Sequence, residues 1–246
     1  MKYELVIGLE THVELNTESK IFCSCGGHSA SQEPNDCVCP ACSGMPGMLP
    51  VMNKHVVELA ATAGLLLNCE ISRYTTFDKK NYYYPDLPCA YQIPQLNHPI
   101  CTNGLVKLKT SEGERDIRIK QIHMEEDAGK LIHRGGITEI DCNRCGVPLI
   151  EIVTEPDISS PAEARQFLAE LLVTIRNAID LPADGDRSVR CDCNISVGKE
   201  RCEVKNVTGL KNVENCLKYE AVRQTKTLKA GGKIERETRR FDEERK

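Results

Sequence analysis

The chain has 246 residues, a net charge of −4 and 40% hydrophobic residues. Its length and apolar content suffice for one large domain, or two small ones, with a real core. The balanced charge excludes a uniformly basic nucleic-acid-binding surface, so any RNA contact must be local. The chain starts on a strand-like segment rather than a signal peptide and lacks an apolar run of about 18 residues. We therefore expect a cytoplasmic protein without a membrane contact.

The first predicted element is a strand at the N-terminal end of the chain. Apolar and polar residues alternate from Leu5 onward, and this period of two is typical of a strand. If the strand continues, Glu10 and His12 share the face opposite Ile7 and Leu9. Taken alone, such a polar face is most often simply solvated.

A loop rich in cysteine, glycine and proline follows the strand, over residues 22–49. It holds one Cys-x-Cys pair and one Cys-x-x-Cys pair, and two closely spaced thiol pairs are the donor set of a tetrahedral structural zinc ion. The four predicted zinc ligands are Cys23, Cys25, Cys39 and Cys42. Of the 14 cysteines, the scattered ones are interpreted as small buried apolar residues, namely Cys69, Cys89, Cys101, Cys202 and Cys216. A disulfide framework suits short secreted chains better, and a second metal site at Cys142, Cys145, Cys191 and Cys193 remains an alternative.

The remaining elements alternate between helices and a long strand-rich region. Asn53 is a predicted N-cap for a helix to about Leu67, and residues 75–153 have strand patterns with turn signals. A capping box at Ser160 opens a helix to about Ile179. A hairpin over residues 189–207, an amphipathic helix over 212–230 and a charged tail complete the chain. Because few strands are separated by crossover helices, we predict an α+β fold with a mainly antiparallel sheet and packed helices.

Two acidic segments supply candidate metal ligands. In the segment 117–130, alternation places His123, Glu125 and Asp127 on one face, whereas Glu151 lies inside the apolar run 147–153. Acidic residues inside a strand are costly unless they face water or a cation, although an edge strand protected by charges is an alternative. The sequence predicts one divalent-ion site, and its oxygen-rich ligands favour Mg²⁺. Its predicted ligands are Glu10, His12, Glu125 and Glu151.

Two further segments carry residues suited to phosphate or nucleotide binding. Lys79 precedes a tyrosine-rich turn that contains Tyr82; such a loop can bind phosphate and stack a base, or simply pack on the sheet. Asp192 lies between Arg190 and Asn194 on a strand, where it can bind a metal or a ribose, or pair internally. Lys205 follows on the next strand. Neither a P-loop nor a dinucleotide-binding glycine motif is present, so any ATP must be held differently.

Ordered motifs along essentially the whole chain resemble the B subunits of the aspartyl/glutamyl-tRNA amidotransferases of bacteria and organelles. The matching segments include Ile7-Gly-Leu-Glu-Thr-His-Val13, Lys80-Asn-Tyr-x-Tyr-Pro-Asp-Leu-Pro88, His123-x-Glu-Glu-Asp-Ala-Gly-Lys130 and Arg190-Cys-Asp-x-Asn194. The related archaeal-type E subunit is the alternative within the same chemistry. The cysteine-rich loop and the lack of an inserted domain favour the B type.

The resemblance implies a glutamine-synthetase-like cradle that uses Mg-ATP to phosphorylate the side chain of glutamate or aspartate misacylated on tRNA(Gln) or tRNA(Asn). Ammonia from the glutaminase (A) subunit then completes the amidation, and the C subunit is the third partner. It also implies that residues 1–246 form a cradle domain, with the zinc-binding insertion at about 22–49, truncated before the family's helical and tail domains. By the same resemblance, the residues expected to catalyse the reaction and bind Mg²⁺ are Glu10, His12, Glu125 and Glu151. The residues expected to bind ATP or phosphate, or to line the ammonia route, are Lys79, Tyr82, Asp192 and Lys205.

The sequence departs from the pattern of the B-subunit family directly after the Asp-Leu-Pro motif. The family usually has Lys-Gly there, whereas this chain has Cys89 and Ala90. Loss of the lysine removes a cation near the site. It leaves open the alternative of a non-catalytic, zinc-bearing RNA-binding or scaffold protein descended from the family.

Overall fold

The computed structural model describes residues 4–27, 33–110, 113–176, 178–179, 181 and 189–242. Parts of the cysteine-rich loop (28–32) and of the charged tail (243–246) lie outside these residues. The helices are α1 (Lys54–Leu66), α2 (Pro161–Arg176) and α3 (Leu210–Lys229), and a short 3₁₀ turn spans Cys142–Arg144. The strands are β1 (Val6–Glu14), β2 (Glu70–Ile71), β3 (Lys80–Asn81), β4 (Tyr91–Gln92), β5 (Cys101–Thr110), β6 (Gly113–Glu126), β7 (Lys130–Arg134), β8 (Ile137–Asp141), β9 (Pro148–Thr154), β10 (Val189–Ser196), β11 (Cys202–Thr208) and β12 (Glu237–Arg240).

Eight of these strands form one sheet in the order β12-β11-β10-β1-β9-β6-β5-β2. All neighbouring pairs are antiparallel except β11 and β12, which are parallel. The hairpins β3–β4 and β7–β8 stand apart from it. The predicted α+β fold with a mainly antiparallel sheet is confirmed. In the described part of the chain, no helix is long and apolar enough to cross a membrane.

The two faces of the large sheet differ because side chains alternate along each strand. On β1, the buried residues Ile7, Leu9 and Val13 belong to the core, together with buried residues from all three helices. The opposite face of the same strand carries Glu10 and His12, which are only partly buried. The helices therefore cover one face of the sheet, and the polar side chains gather on the other.

The helix ends follow local capping chemistry. The Asn53 side chain accepts a hydrogen bond from the His55 N–H, which confirms the predicted start of α1. At α2 the Ser160 hydroxyl accepts from the Glu163 N–H, but the Glu163 carboxylate accepts from the Ser159 N–H instead of completing a reciprocal box. The helix ends at Arg176, so the prediction of a helix to Ile179 was too long.

The charged tail contains more structure than its composition indicated. Residues Glu237–Arg240 form β12, which pairs in parallel with β11. Arg223 on α3 contacts both Glu220 on the same helix, at 2.6 Å, and Glu237 on β12, at 2.7 Å. These contacts tie the strand to the helix, and no local sequence pattern predicts them.

The turn between β3 and β4 holds the departure at positions 89 and 90. The Ala90 N–H donates to the Leu87 carbonyl at 2.9 Å, and the Ala90 carbonyl accepts from the Tyr82 N–H at 3.1 Å. These bonds place Ala90 at a φ of 59°, where an L-residue with a Cβ is sterically disfavoured. The backbone thus adopts at Ala90 a conformation that glycine accommodates without strain.

We predict that Ala90→Gly stabilises the protein by about 0.5–1 kcal/mol, because relief of the left-handed strain exceeds the entropy that glycine adds to the unfolded chain. The measurement is the urea midpoint of unfolding. Ala128→Gly is the control, since Ala128 has no positive φ and should lose about 0.5–1 kcal/mol. Equal destabilisation by both substitutions would contradict the strain at Ala90.

Candidate functional site

A row of polar side chains crosses four neighbouring strands on the uncovered face. In the pairing register, His12 on β1 lies opposite Arg190 on β10 and Glu151 on β9, and Glu151 lies opposite His123 on β6. Glu125 follows His123 two residues later on the same face. The alternation predicted for these strands is therefore confirmed, and the strand register brings distant segments together.

His12, Glu125 and Glu151 form a group in which one donor atom from each lies within 4.8 Å of the others. His12 Nε2 lies 3.3 Å from the Glu125 carboxylate and 3.6 Å from that of Glu151. Burial opposes ionisation of Glu125, but hydrogen bonds from His12 and His123 lower the pKa of its carboxyl below the usual range. The group thus combines two carboxylates with an imidazole, a donor set that a divalent cation can use.

His123 belongs to this group although it was not among the predicted ligands. Its Nε2 lies 2.9 Å from the Glu151 carboxylate and 3.8 Å from that of Glu125. Burial lowers the pKa of His123, but the two carboxylates overcome this and raise it to about 9. The available signal was its position two residues before Glu125, and its contact with Glu151 needed the register of β6 and β9.

Glu10 lies in a second group, with Asp192 and Glu203. The Asn194 amide donates to the Glu10 carboxylate at 2.8 Å. Burial, and then the negative charge of Glu151, act to raise the pKa of Glu10, so the two groups adjoin. The structure therefore brings together three of the four predicted Mg²⁺ ligands, and it places the fourth, Glu10, in the adjoining group.

Lys205 occupies the second group as its counter-ion. Its ammonium group lies 2.7 Å from the Asp192 carboxylate and 3.0 Å from that of Glu203. The Asp192 carboxylate also accepts from the Asn206 N–H. Asp192 and Lys205, both predicted to bind phosphate or nucleotide, therefore pair with each other. They lie beside the group of His12, Glu125 and Glu151, called the histidine–carboxylate group below.

A buried carboxylate held by two partly exposed arginines closes the other side. The Asp127 carboxylate, which is 5% exposed, lies 2.6 Å from the Arg190 guanidinium and 3.2 Å from that of Arg144. Asp127 lies just beyond the end of β6, and its contact with Arg190 keeps its carboxylate beside the polar face that carries Glu125. The negative charge of Glu125 also favours the charged form of Arg190.

The tyrosine-rich turn lies on the surface. Lys79 Nζ stands 4.0 Å from the centre of the Tyr91 ring, and the rings of Tyr82 and Tyr84 stack at 5.9 Å. Partial burial raises the pKa of Tyr82, and the positive charge of Lys205 opposes part of that rise. Tyr82 and Lys205 thus interact electrostatically, while Lys79 makes a cation–π contact instead of joining the acidic groups.

The four predicted zinc ligands form one cluster. One sulfur from each lies within 4.8 Å of the other three, and Cys42 Sγ is 4.0 Å from Cys25 Sγ and 3.9 Å from Cys39 Sγ. Hydrogen bonding from Cys23, followed by that from the Cys39 backbone, lowers the pKa of Cys42 to about 4. The cluster has the donors of a tetrathiolate metal site. Its members are Cys23, Cys25, Cys39 and Cys42.

The alternative second metal site is not formed within the described residues. Cys142 is the first residue of the 3₁₀ turn and Cys145 follows its last, whereas Cys191 and Cys193 point from β10 into the core and are buried. No metal-binding group of three or more among the described side chains includes any of them. Of the scattered cysteines interpreted as small buried apolar residues, Cys89 is only partly buried and the other four are buried, as predicted: Cys69, Cys101, Cys202 and Cys216.

Comparisons with known proteins show which family this chain belongs to. Residues 5–246 match the family model described as the GatB/GatE catalytic domain. Proteins named as the B subunit of aspartyl/glutamyl-tRNA(Asn/Gln) amidotransferase are 51% identical in Caldanaerobacter subterraneus subsp. tengcongensis and 48% identical in Thermotoga sp. strain RQ2. These alignments cover 99% and 98% of this chain and 53% of each relative. The chain therefore spans about half the length of the curated relatives it matches.

We predict that Arg190→Met destabilises the protein by about 2–3 kcal/mol, because it removes the closest cation beside a buried carboxylate and leaves the more distant Arg144 to balance its charge. Arg118→Met is the control. The side chain of Arg118 is 62% exposed in its pair with Asp157, so its loss should cost less than about 1 kcal/mol. Urea unfolding at neutral pH measures both, and similar costs would contradict the importance of burial at Asp127.

Proposed function

Because the chain belongs to the GatB/GatE catalytic domain family, we propose that it carries the ATP-dependent carboxylate-phosphorylating site of a tRNA-dependent amidotransferase. The single observation that supports this most is the group of His12, Glu125 and Glu151 on the uncovered face of the sheet. Phosphoryl transfer depends on positioning and charge neutralisation more than on covalent chemistry by the protein. Two buried carboxylates beside an imidazole, a donor set suited to a divalent cation, meet that requirement.

The proposed reaction has two steps. An oxygen of the side-chain carboxylate of tRNA-bound glutamate or aspartate attacks the γ-phosphorus of ATP, and the bond to the β-phosphate oxygen breaks to release ADP. Ammonia from the glutaminase then attacks the carbonyl carbon of the acyl phosphate. Inorganic phosphate leaves, and a proton lost from nitrogen completes the amide.

The proposed Mg²⁺ would neutralise charge on the phosphates when bound. Glu125 and Glu151 supply the oxygen donors that Mg²⁺ prefers, and His12 supplies a nitrogen that is also compatible with Mn²⁺. His123 contacts both carboxylates, so we propose that it holds Glu151 and Glu125 in position. We retain Glu10 as a catalytic residue that acts from the adjoining group.

The cations around this centre are the proposed phosphate contacts. Lys205 can release Asp192 and Glu203 to meet an entering phosphate, since its side chain is 44% exposed. Tyr82, which Lys205 influences electrostatically, borders the same side. Lys79, held over Tyr91, is proposed to line the entry of phosphate or ammonia. Asp192 then fixes the position of Lys205 or binds the nucleotide.

A structural zinc ion is the second proposed cofactor. The four sulfurs already cluster at distances that need only small adjustments for a tetrahedral ion, and bound zinc would fix the loop as a rigid unit. The loop is also attached to the rest of the chain. The Asn143 side chain accepts from the Cys37 N–H at 2.8 Å, and the Asn35 side chain accepts from the Cys142 N–H at 2.8 Å.

The proposed partners are the glutaminase (A) and C subunits and misacylated Glu-tRNA(Gln), Asp-tRNA(Asn) or both, in the cytoplasm. The names of the similar proteins, which describe the B subunit of a tRNA(Asn/Gln) amidotransferase, support this assignment. The competing function is a non-catalytic, zinc-bearing RNA-binding or scaffold protein. Cys89 in place of a lysine favours that alternative, and the contacts of Glu125 with both His12 and His123 weigh against it.

We predict that Glu125→Gln slows the release of γ-phosphate at least about 100-fold, equivalent to about 2.7 kcal/mol of barrier. The substitution removes a carboxylate charge from the proposed cation site while keeping its shape. The measurement is phosphate release from ATP by the chain reconstituted with the glutaminase and C subunits and misacylated tRNA. Glu114→Gln, an exposed change on the same strand, should leave the rate unchanged.

Two outcomes would contradict the catalytic assignment. Equal rates for Glu125→Gln and the unmodified chain would remove the histidine–carboxylate group from the reaction. Absence of phosphate release in a folded, zinc-loaded assembly, with and without misacylated tRNA, would favour the non-catalytic function.

We predict that Cys39→Ser lowers zinc affinity at least about 100-fold, because a hydroxyl replaces one of four thiolate ligands. The measurement is competition for zinc with a chromophoric chelator. Cys37→Ser is a matched control in the same loop, since the Cys37 sulfur contacts the Gly26 carbonyl and lies outside the four-sulfur group. Equal losses in the two variants would refute the assigned ligand set.

A further inference from the structure

Lys20 is a fully buried lysine at the base of the cysteine-rich loop. Its side chain has 0% exposure and is among the largest completely buried side chains in the described part of the protein. Its ammonium group donates to the Cys37 carbonyl at 2.9 Å and lies 3.5 Å from the Cys42 sulfur and 3.5 Å from the Cys142 carbonyl. Lysine is rarely buried to this extent unless its charge is paired.

The partners of this ammonium group identify the charge that it balances. Two of its three hydrogen-bond acceptors within the described residues are neutral backbone carbonyls, and the third is the Cys42 sulfur. A sulfur can carry the compensating negative charge only as a thiolate. The position of Lys20 therefore fits a loop whose cysteines are deprotonated, as they are when they bind a metal.

We propose that Lys20 is the outer-sphere hydrogen-bond donor of the zinc site, acting on the thiolate of Cys42. This inference rests on the zinc site proposed above. Four thiolates around Zn²⁺ carry a net charge of −2, and a buried ammonium beside one sulfur offsets part of it. Lys20 thereby favours retention of the metal without ligating it, as residues outside the ligand set do at other metal sites.

Lys20 also joins the metal loop to the strand that carries Glu151. Its contact with the Cys142 carbonyl reaches the 3₁₀ turn Cys142–Arg144, which leads into β9. The neighbouring Gly146 carbonyl accepts from the Ile21 N–H at 2.9 Å, and a Cβ on Gly146 would lie 3.5 Å from the Lys20 stem. Lys20 thus connects the four-sulfur cluster to this turn, beside the hydrogen bonds of Asn35 and Asn143.

We predict that Lys20→Met lowers zinc affinity about 10–100-fold, the range typical of outer-sphere changes. The full 246-residue chain is loaded with Zn²⁺ or Co²⁺, affinity is measured by competition with a chromophoric chelator, and folding by far-UV circular dichroism. In the Co²⁺ form, loss of the N–H···S contact should make the thiolate a stronger donor and shift the sulfur-to-cobalt charge-transfer bands to lower energy.

Asn35→Ala is the matched control. Asn35 holds the same loop to the Cys142 N–H and to the Ile140 carbonyl but contacts none of the four sulfurs through its side chain. It should leave the charge-transfer bands in place. Lys20→Gln, which keeps an N–H donor without the charge, should lower affinity less than Lys20→Met and serves as the second variant if the methionine variant does not fold.

The outcomes separate this inference from the zinc site itself. Absence of a four-thiolate cobalt spectrum in the unmodified chain would refute the zinc site, and the role of Lys20 with it. A normal spectrum and affinity in folded Lys20 variants would refute Lys20 alone. Equal affinity losses in Lys20→Met and Asn35→Ala, with unshifted bands in both, would show that Lys20 only supports the loop and would also overturn the proposal.

Discussion

The register of four antiparallel strands is the constraint on which both the fold and the candidate site depend. Each strand alternates between a core face and a polar face, and pairing aligns His12, Glu151 and His123 across β1, β9 and β6. A slip of one residue would move the polar set under the helices and the core set into water. Burial of the apolar face therefore holds the register, and the register assembles the site.

The second organising feature is that the buried charges of the polar face are paired. Asp127 is paired with Arg190, and Asp192 with Lys205. Paired charges of this kind add little stability beyond what well-packed apolar residues would give, but removal of one partner is costly. Their retention is thus better explained by chemistry at the site than by stability.

The parts of the fold that could be predicted from the sequence are those fixed by local patterns. Alternation identified the face that carries Glu125, and the Asn53 cap located the start of α1. Spacing alone identified the four sulfurs. The parts that could not be predicted are long-range contacts. Glu10 lies beside Asp192 rather than Glu125 because β1 pairs with β10. The tail forms β12 because a distant helix supplies ion pairs.

A long-range contact also determines the backbone at Cys89 and Ala90. Gly44 of the metal loop packs so closely on this turn that a Cβ there would lie 2.7 Å from the Pro88 carbonyl carbon. The backbone of the turn is thus held by the loop, and Ala90 follows a glycine-like path despite its side chain. Since the turn joins the strands on either side of Tyr82, the zinc ion proposed for the four-sulfur cluster would also stiffen the tyrosine-rich edge of the candidate site.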